Sequence, residues 1–167
     1  MTDTKLPATA TLEEAKQVLR DGWIEGVECP CCTQFVKQYH RKITSSMAYG
    51  LILVYRYFEN HPEEQYVHIS DYLNSLDIPG AIRNTGDITK LKYWDMIEEK
   101  VQMRDDGSKH AGYWAITERG RQFGRGEITV ESHVKLFNSK SYGLTGEQTS
   151  IQEALGEKFN YTELMKA

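Results

Sequence analysis

A cluster of three cysteines near the start of the chain is the group whose type and spacing most directly suggest chemistry. Cys29 and Cys32 have the C-x2-C spacing that lets two thiolates converge on one zinc ion, and Pro30 shapes the turn between them. Cys31 would supply a third thiolate only if that turn were distorted. An odd, clustered set cannot build an intramolecular disulfide framework, so we expect a reducing, cytoplasmic compartment.

A structural zinc ion needs four ligands, and the chain has no second C-x2-C pair. His40 is the nearest histidine, and it would complete a site alone or together with His61 or His68. Three interpretations stay open: zinc bound within one chain, a metal-free knuckle with the fold of half a zinc ribbon, and a site shared between two chains. The pair lacks the strand–helix surroundings of a thioredoxin-like redox site, so redox activity is not expected.

Charge along the chain is uneven. The net charge is −4, which disfavours phosphate binding. Residues 83–125 are nevertheless net basic, with nine basic against seven acidic residues. A second basic stretch, residues 37–42, contains Lys37, His40, Arg41 and Lys42 around Tyr39. We call this stretch the basic strap, and it is either a phosphate-contacting segment or a solvated linker.

The elements that must position these residues follow from capping and periodicity. Thr11 opens a capping box that predicts a short helix ending at Asp21-Gly22. Strands are predicted at 23–27 and 35–39, on either side of the cysteines. Apolar residues at helical spacing then predict a long helix from Thr44 to Asn60, which ends before Pro62.

The second half of the chain alternates short elements. The first predicted elements are a strand at 67–69, a helix capped by Ser70 and a third helix from Thr85 or Gly86 to Trp94. Strands near 96–101 and 113–116 follow, joined by an Asp-Asp-Gly-Ser turn. The last elements are a helix capped by Thr117, a β-hairpin around 138–141 and two short helices. Asp95 is expected to take left-handed geometry at the end of the third helix. Trp94 and Trp114 are expected in the core.

This order, together with two sequence stretches, resembles a known family. Leu91-Lys92-Tyr93-Trp94-Asp95-Met96-Ile97-Glu98, followed by Gly112-Tyr113-Trp114-Ala115-Ile116-Thr117-Glu118-Arg119-Gly120, is similar to the signature of MarR-type and PadR-type winged helix-turn-helix regulators. The resemblance covers residues 43–123. The whole chain also resembles small phage-encoded proteins that join a Cys-Pro-x-Cys knuckle to such a domain.

The resemblance implies an α+β fold in three parts. Residues 1–42 would form the N-terminal helix and a zinc-ribbon-like knuckle, residues 43–126 the winged-helix domain, and residues 127–167 a small β-hairpin with short helices. In this family the third helix enters the major groove of double-stranded DNA and the hairpin, or wing, contacts phosphate or the minor groove.

The resemblance also assigns site residues. Those of the third helix would be Arg83, Asn84, Thr85, Thr89, Lys90, Lys92 and Tyr93, and those of the wing Arg104, Lys109 and His110. The basic strap lies outside the winged-helix resemblance, and if the protein binds DNA its cluster of charges adds Lys37, Arg41 and Lys42 as phosphate contacts. Asp87, Asp105 and Asp106 would face phosphate, which is unfavourable. The implied function is DNA binding in transcription regulation or genome handling, in a phage or prokaryote.

Other functions remain as alternatives. A protein-binding adaptor for a host or phage protein would use the same winged-helix scaffold or residues 127–167, with Tyr142, Phe159 and Tyr161 as exposed contacts. No nucleophile with a placed base and no phosphate loop is visible, so an enzyme is not expected, and the remaining enzymatic alternative is a zinc-dependent nuclease. The longest mostly apolar run is about half of the ~20 residues that a membrane span needs, and no secretory signal is visible. The flanks differ from the family's dimerisation helices, which leaves the oligomeric state open.

Overall fold

The computed structural model describes residues 5–101, 103–108 and 111–166. Within them the chain is α+β, as predicted, with seven helices and three small antiparallel sheets. The chain divides into two compact units. Unit 1 comprises Met1–Arg41 and Lys135–Gly143, and unit 2 comprises Lys42–Val134 and Leu144–Ala167. Most of the residues after 126 therefore belong to unit 2, together with residues 42–126.

Unit 1 begins with the predicted capping box. Helix α1 (Leu12–Gly22) starts after Thr11, whose hydroxyl accepts a hydrogen bond from the Glu14 amide at 3.2 Å. Strands β1 (Val27–Glu28) and β2 (Phe35–Val36) then pair antiparallel around the cysteines. They have two residues each, shorter than the predicted strands.

Trp23 lies in the turn after α1 and not in a strand, which corrects the prediction. Its ring contacts those of Phe137 and Tyr142, with centroids 5.0 Å away in both cases. The Trp23 carbonyl accepts a hydrogen bond from the Gln38 amide at 2.8 Å. These contacts form a small, partly exposed aromatic cluster in unit 1.

Unit 2 is built around helix α2 (Ser45–Asn60), which confirms the long predicted helix. Thr44 caps it by accepting from the Met47 amide at 3.2 Å. The helix is buried on nearly all sides, including every residue from Leu51 to Tyr55, as expected for a helix that is apolar around its circumference. The other helices of unit 2 are α3 (Ile69–Asn74), α4 (Thr85–Ile88), α5 (Glu118–Gly124), α6 (Ile151–Leu155) and α7 (Tyr161–Lys166).

A three-stranded sheet contains β4 (Val67–His68), β5 (Ile97–Glu99) and β6 (Tyr113–Ile116) in the order β4-β6-β5. Both pairings are antiparallel. The residue that caps α3 is His68 and not Ser70, because the helix already begins at Ile69. The His68 ring nitrogen Nδ1 accepts from the Asp71 amide at 3.3 Å.

The predicted third helix is present but is not one continuous α-helix. It consists of α4 and a following 3₁₀ helix (Thr89–Trp94), and we keep the name third helix for Thr85–Trp94. Asp95 ends it with φ 58° and ψ 34°, the predicted left-handed conformation. Ile88, Leu91 and Trp94 are its buried residues.

Strand β3 (Tyr39–Lys42) lies in a sheet with β7 (Val130–Phe137) and β8 (Lys140–Thr149), in the order β3-β7-β8. The basic strap therefore includes a paired strand, and its interpretation as a linker is wrong. The predicted C-terminal hairpin is present, but its strands of 8 and 10 residues make it larger than expected. Asn138 and Ser139 form its turn with φ 49° and 60°, the conformation that two-residue hairpins favour.

A junction holds the end of the third helix to the start of α5. The carbonyls of Trp94, Asp95 and Met96 accept hydrogen bonds from Arg119 Nε, Thr117 Oγ1 and the Thr117 amide at 3.0, 2.6 and 3.0 Å. Gly120 lies so close that a Cβ atom there would overlap with the Met96 carbonyl oxygen. Only glycine fits this position.

We expect Gly120→Ala to lower the free energy of unfolding by about 2–3 kcal/mol, because backbone must move to admit the methyl group. Gly124→Ala is the matched control in the same helix, since its Cβ would meet Tyr55 at an ordinary 3.8 Å. The control should change stability by less than about 1 kcal/mol. Chemical denaturation of both variants measures the difference, and equal effects would contradict the close approach.

Candidate functional site

The inner side of the third helix is anchored at several points. A Cβ at Gly50 would lie 2.5 Å from the Ile88 side chain, so α2 and α4 approach closely. Trp94 is 1% exposed, and its indole Nε1 donates to the Glu131 carbonyl at 2.7 Å. Trp94 and Trp114 are both core residues, as predicted. This anchoring determines which side chains of the helix face outward.

The outward residues differ in accessibility. Arg83, Asn84 and Lys92 are exposed, whereas Thr85, Thr89, Lys90 and Tyr93 are half-buried. The Lys92 ammonium lies 5.3 Å from the centroid of the Tyr93 ring, a cation–π distance. The Arg83 guanidinium donates to the Leu76 carbonyl at 2.9 Å, and this bond orients the side chain. It uses one of the five N–H donors that a guanidinium has.

Asp87 forms an ion pair with Lys90 inside this face. Asp87 Oδ1 lies 3.1 Å from Lys90 Nζ, and the two side chains are only 23% and 31% exposed. The side-chain amide of Asn84 also donates, from Nδ2 to Asp87 Oδ2 at 3.4 Å. Asp87, which was expected to face phosphate, is therefore neutralised by Lys90, and Lys90 offers little net charge to a phosphate.

The predicted wing, which lies between β5 and β6, contains a hydrogen-bonded turn. The Arg104 amide donates to the Ser108 carbonyl at 2.7 Å, and the Gly107 amide donates to the Arg104 carbonyl at 2.9 Å. Asp106 accepts from the Ser108 amide and hydroxyl at 2.9 and 2.6 Å, so its carboxylate stabilises the turn. Arg104 and Asp105 are exposed. Lys109 and His110 lie outside the described residues.

Lys100 is a basic residue of this region that the sequence did not single out. Its ammonium lies 5.3 Å from the Tyr66 ring centroid and 5.5 Å from that of Tyr113. No local pattern predicts this, because only the pairing of β4, β6 and β5 brings the two tyrosines together.

Several arginines of the basic segment 83–125 are committed within the fold. Arg121 pairs with Glu59 at 2.8 Å, and Arg125 pairs with Glu127 at 2.9 Å and Glu118 at 3.3 Å. The hydrogen bonds that Arg125 donates to Glu127 raise the pKa of the Arg125 guanidinium. Part of the basic surplus seen in the sequence therefore neutralises internal carboxylates.

The basic strap contributes to both units. Lys37 is exposed and Arg41 half-buried, both in unit 1, while Lys42 is exposed in unit 2. Lys42 lines a cavity of about 760 Å³ in unit 2, in which Ser132 Oγ lies 2.6 Å from His133 Nδ1. The remaining lining comes from residues 43–45, 146–149 and 153–158. These segments are distant in sequence, so no sequence signal marks the cavity.

The cysteine turn in unit 1 is well defined. Cys29 is buried, whereas Cys31 and Cys32 are exposed. The Cys29 amide donates to the Gln34 carbonyl at 2.8 Å, and the Thr33 amide donates to the Cys29 carbonyl at 2.9 Å. Backbone hydrogen bonds from Cys32 and Cys31 lower the pKa of the Cys29 thiol. Thr33 has φ 62°, an uncommon value for a β-branched residue.

The histidines considered as further ligands have other contacts or lie exposed. His40 is exposed on β3. His61 stacks on the Tyr57 ring at 4.4 Å, and His68 caps α3. Within residues 5–101, 103–108 and 111–166, no three or more His, Cys, Asp or Glu side chains are grouped so as to hold a metal ion.

The C-terminal aromatic residues are less available than expected. Phe159 is half-buried with its ring 4.8 Å from that of Tyr49. The half-buried Tyr161 hydroxyl donates to the Gly124 carbonyl at 2.8 Å, and burial raises its pKa. Their expected exposure is wrong, while Tyr142 is 44% exposed as expected.

No family model, curated protein or solved structure matches this chain. In the part of the chain that the structure describes, no helix has both the length and the apolar character required to cross a membrane.

Asp95→Val should destabilise the fold by about 1–2 kcal/mol, because a β-branched residue disfavours the left-handed conformation found there. Asp95→Asn removes the same charge but tolerates that conformation, so its stability should stay within about 0.5 kcal/mol of the parent. Thermal unfolding of the pair separates backbone strain from charge. A similar loss in both variants would show that the carboxylate, and not the conformation, matters.

Proposed function

We propose that this chain is a winged-helix protein that binds double-stranded DNA through its third helix and the β5–β6 wing. The observation that carries the proposal is the sheet order β4-β6-β5, with the third helix leading directly into β5. A winged-helix domain has this order of elements, with the strand after the wing in the middle of the sheet. The buried Ile88, Leu91 and Trp94 support it further, because they leave the polar side of the helix outward.

The distribution of exposed charge favours DNA over an apolar partner at this face. Arg83, Lys92 and Arg104 are exposed, and in the described part of the chain none of the three forms an ion pair. Asp87 and Asp106, two of the three carboxylates that weigh against phosphate, are engaged by Lys90 and Ser108. The Asp87–Lys90 pair therefore adds no net charge, and the positive charges of Arg83, Lys92 and Arg104 outnumber those of the carboxylates Asp105 and Asp106 on this face.

Six of the outward side chains have a role in this proposal. Arg83 and Asn84 have the donor and acceptor geometry for bidentate contacts with base edges in the major groove. Thr85, Thr89 and Lys92 reach phosphates, and Arg104 contacts phosphate or the minor groove from the wing. Such a protein acts in transcription regulation or genome handling.

Lys92→Ala should weaken duplex binding by about three- to tenfold and reduce the salt dependence of log K by roughly one unit, as for the loss of one phosphate contact. Lys166→Ala removes the same charge from α7, an element outside the proposed face, and should leave both quantities nearly unchanged. Fluorescence anisotropy with a random duplex across salt concentrations measures both. If the intact protein shows no duplex binding at low salt, DNA binding is wrong and a protein-contacting role replaces it.

Asp87→Asn should strengthen binding by about fivefold at low salt, because it releases the Lys90 charge for a phosphate. The control is the same substitution in a Lys90→Ala background, where the gain should largely disappear. A double-mutant cycle measured by anisotropy isolates this coupling. An equal gain in both backgrounds would mean that Asp87 simply repels DNA.

A further inference from the structure

We propose that two copies of this chain jointly bind one zinc ion, each supplying the thiolates of Cys29 and Cys32. This site lies in unit 1 and does not rest on DNA binding. Zinc in structural sites takes four ligands in a tetrahedron, and four cysteine thiolates are a common set. Each chain would provide half of that set.

The half-site is already built in the single chain. The paired strands β1 and β2 hold the two ends of the cysteine turn together, and Thr33 in its left-handed conformation reverses the chain just after Cys32. The Cys29 amide donates to the Gln34 carbonyl at 2.8 Å, and the Thr33 amide donates to the Cys29 carbonyl at 2.9 Å, so hydrogen bonds fix the backbone of the turn. A turn held in this way positions its side chains before a metal ion binds.

The other two ligands must come from outside this turn. Among the described residues no third His, Cys, Asp or Glu joins Cys29 and Cys32 in a metal-binding group. Cys32 is exposed, so an ion bound there has coordination positions open to a second molecule. A two-fold axis through the ion satisfies both chains equally, because each then gives and receives the same pair of ligands.

The surface around the turn suits a second copy. Phe35 and Tyr39, on the strands that follow the cysteines, are 53% and 61% exposed, and Ile24 in the same unit is 55% exposed. Phe35 pairs with Glu28, the residue directly before Cys29. A second copy that covered Phe35, beside the turn, with its own identical surface would keep water from the thiolates.

The test uses the full chain, reduced with a phosphine and titrated with Zn²⁺ or Co²⁺. We expect saturation at one metal ion per two chains, with a solution mass twice the 19.2 kDa of one chain. The Co²⁺ form should show the absorption of a tetrahedral site with four thiolates. Removal of the metal by a chelator should return the mass to that of a single chain.

Cys29→Ser and Cys32→Ser should each abolish metal binding and metal-dependent association. Cys31→Ser is the matched control, since it removes a neighbouring thiol outside the C-x2-C pair, and it should retain both. Circular dichroism of each variant shows whether a loss of metal binding arises from unfolding. If a variant is unfolded, the test is made instead on the parent protein, where bound Zn²⁺ should protect Cys29 and Cys32 from alkylation.

Three results would overturn the proposal. The first is one metal ion per chain at the single-chain mass, which would place the whole site within one molecule. The second is loss of metal binding in Cys31→Ser, and the third is the absence of any Zn²⁺ or Co²⁺ binding by the reduced protein. Metal content and mass are read without DNA, so failure here is distinguishable from failure of the proposed DNA binding.

Discussion

The close approach of Gly120 to the Met96 carbonyl is the constraint on which the candidate DNA-binding face depends. A side chain at Gly120 would separate α5 from the end of the third helix, where residues 94–96 lose their helical partners and need new donors. Thr117 and Arg119 supply those donors. Asp95 can then turn the chain in a left-handed conformation, and β5 starts in register with β6. One missing Cβ thus determines where the third helix stops and where the wing begins.

The ion pairs of this protein matter more for what they remove from the surface than for stability. Exposed or half-exposed pairs such as Arg121–Glu59 contribute about 0–1 kcal/mol each. Their effect on binding is larger, because a paired arginine offers little net charge to a phosphate. Lys90 illustrates this: its position on the third helix suits DNA, but Asp87 cancels its charge at 3.1 Å. A charge count along the sequence cannot distinguish Lys90 from Lys92, whereas the fold does.

The features that could be predicted from the sequence are those whose interacting residues lie close together along the chain. Thr11 and Thr117 cap their helices as expected, because a cap involves a donor only three residues away. The left-handed Asp95 was likewise a local choice. The division of the third helix into α and 3₁₀ turns, the pairing of the basic strap with β7 and the place of Lys100 between two tyrosines all depend on remote partners. For the candidate site, the sequence shows which residues are charged but not which of those charges form ion pairs within the protein.

The strained turn at Thr33 connects the two proposals. A left-handed β-branched residue costs about 1–2 kcal/mol, and such strain persists where the surrounding structure requires it, often at binding sites. Here Thr33 reverses the chain directly after Cys32. A zinc-linked pair of chains carries two copies of the third helix, and two linked binding faces can exceed the affinity of either by roughly 10²–10⁴-fold without any new contact. Association through the cysteines would therefore supply affinity that a chain of net charge −4 lacks in its own electrostatics. In this arrangement the cysteine turn would compensate for the sparse basic surface of the proposed winged helix.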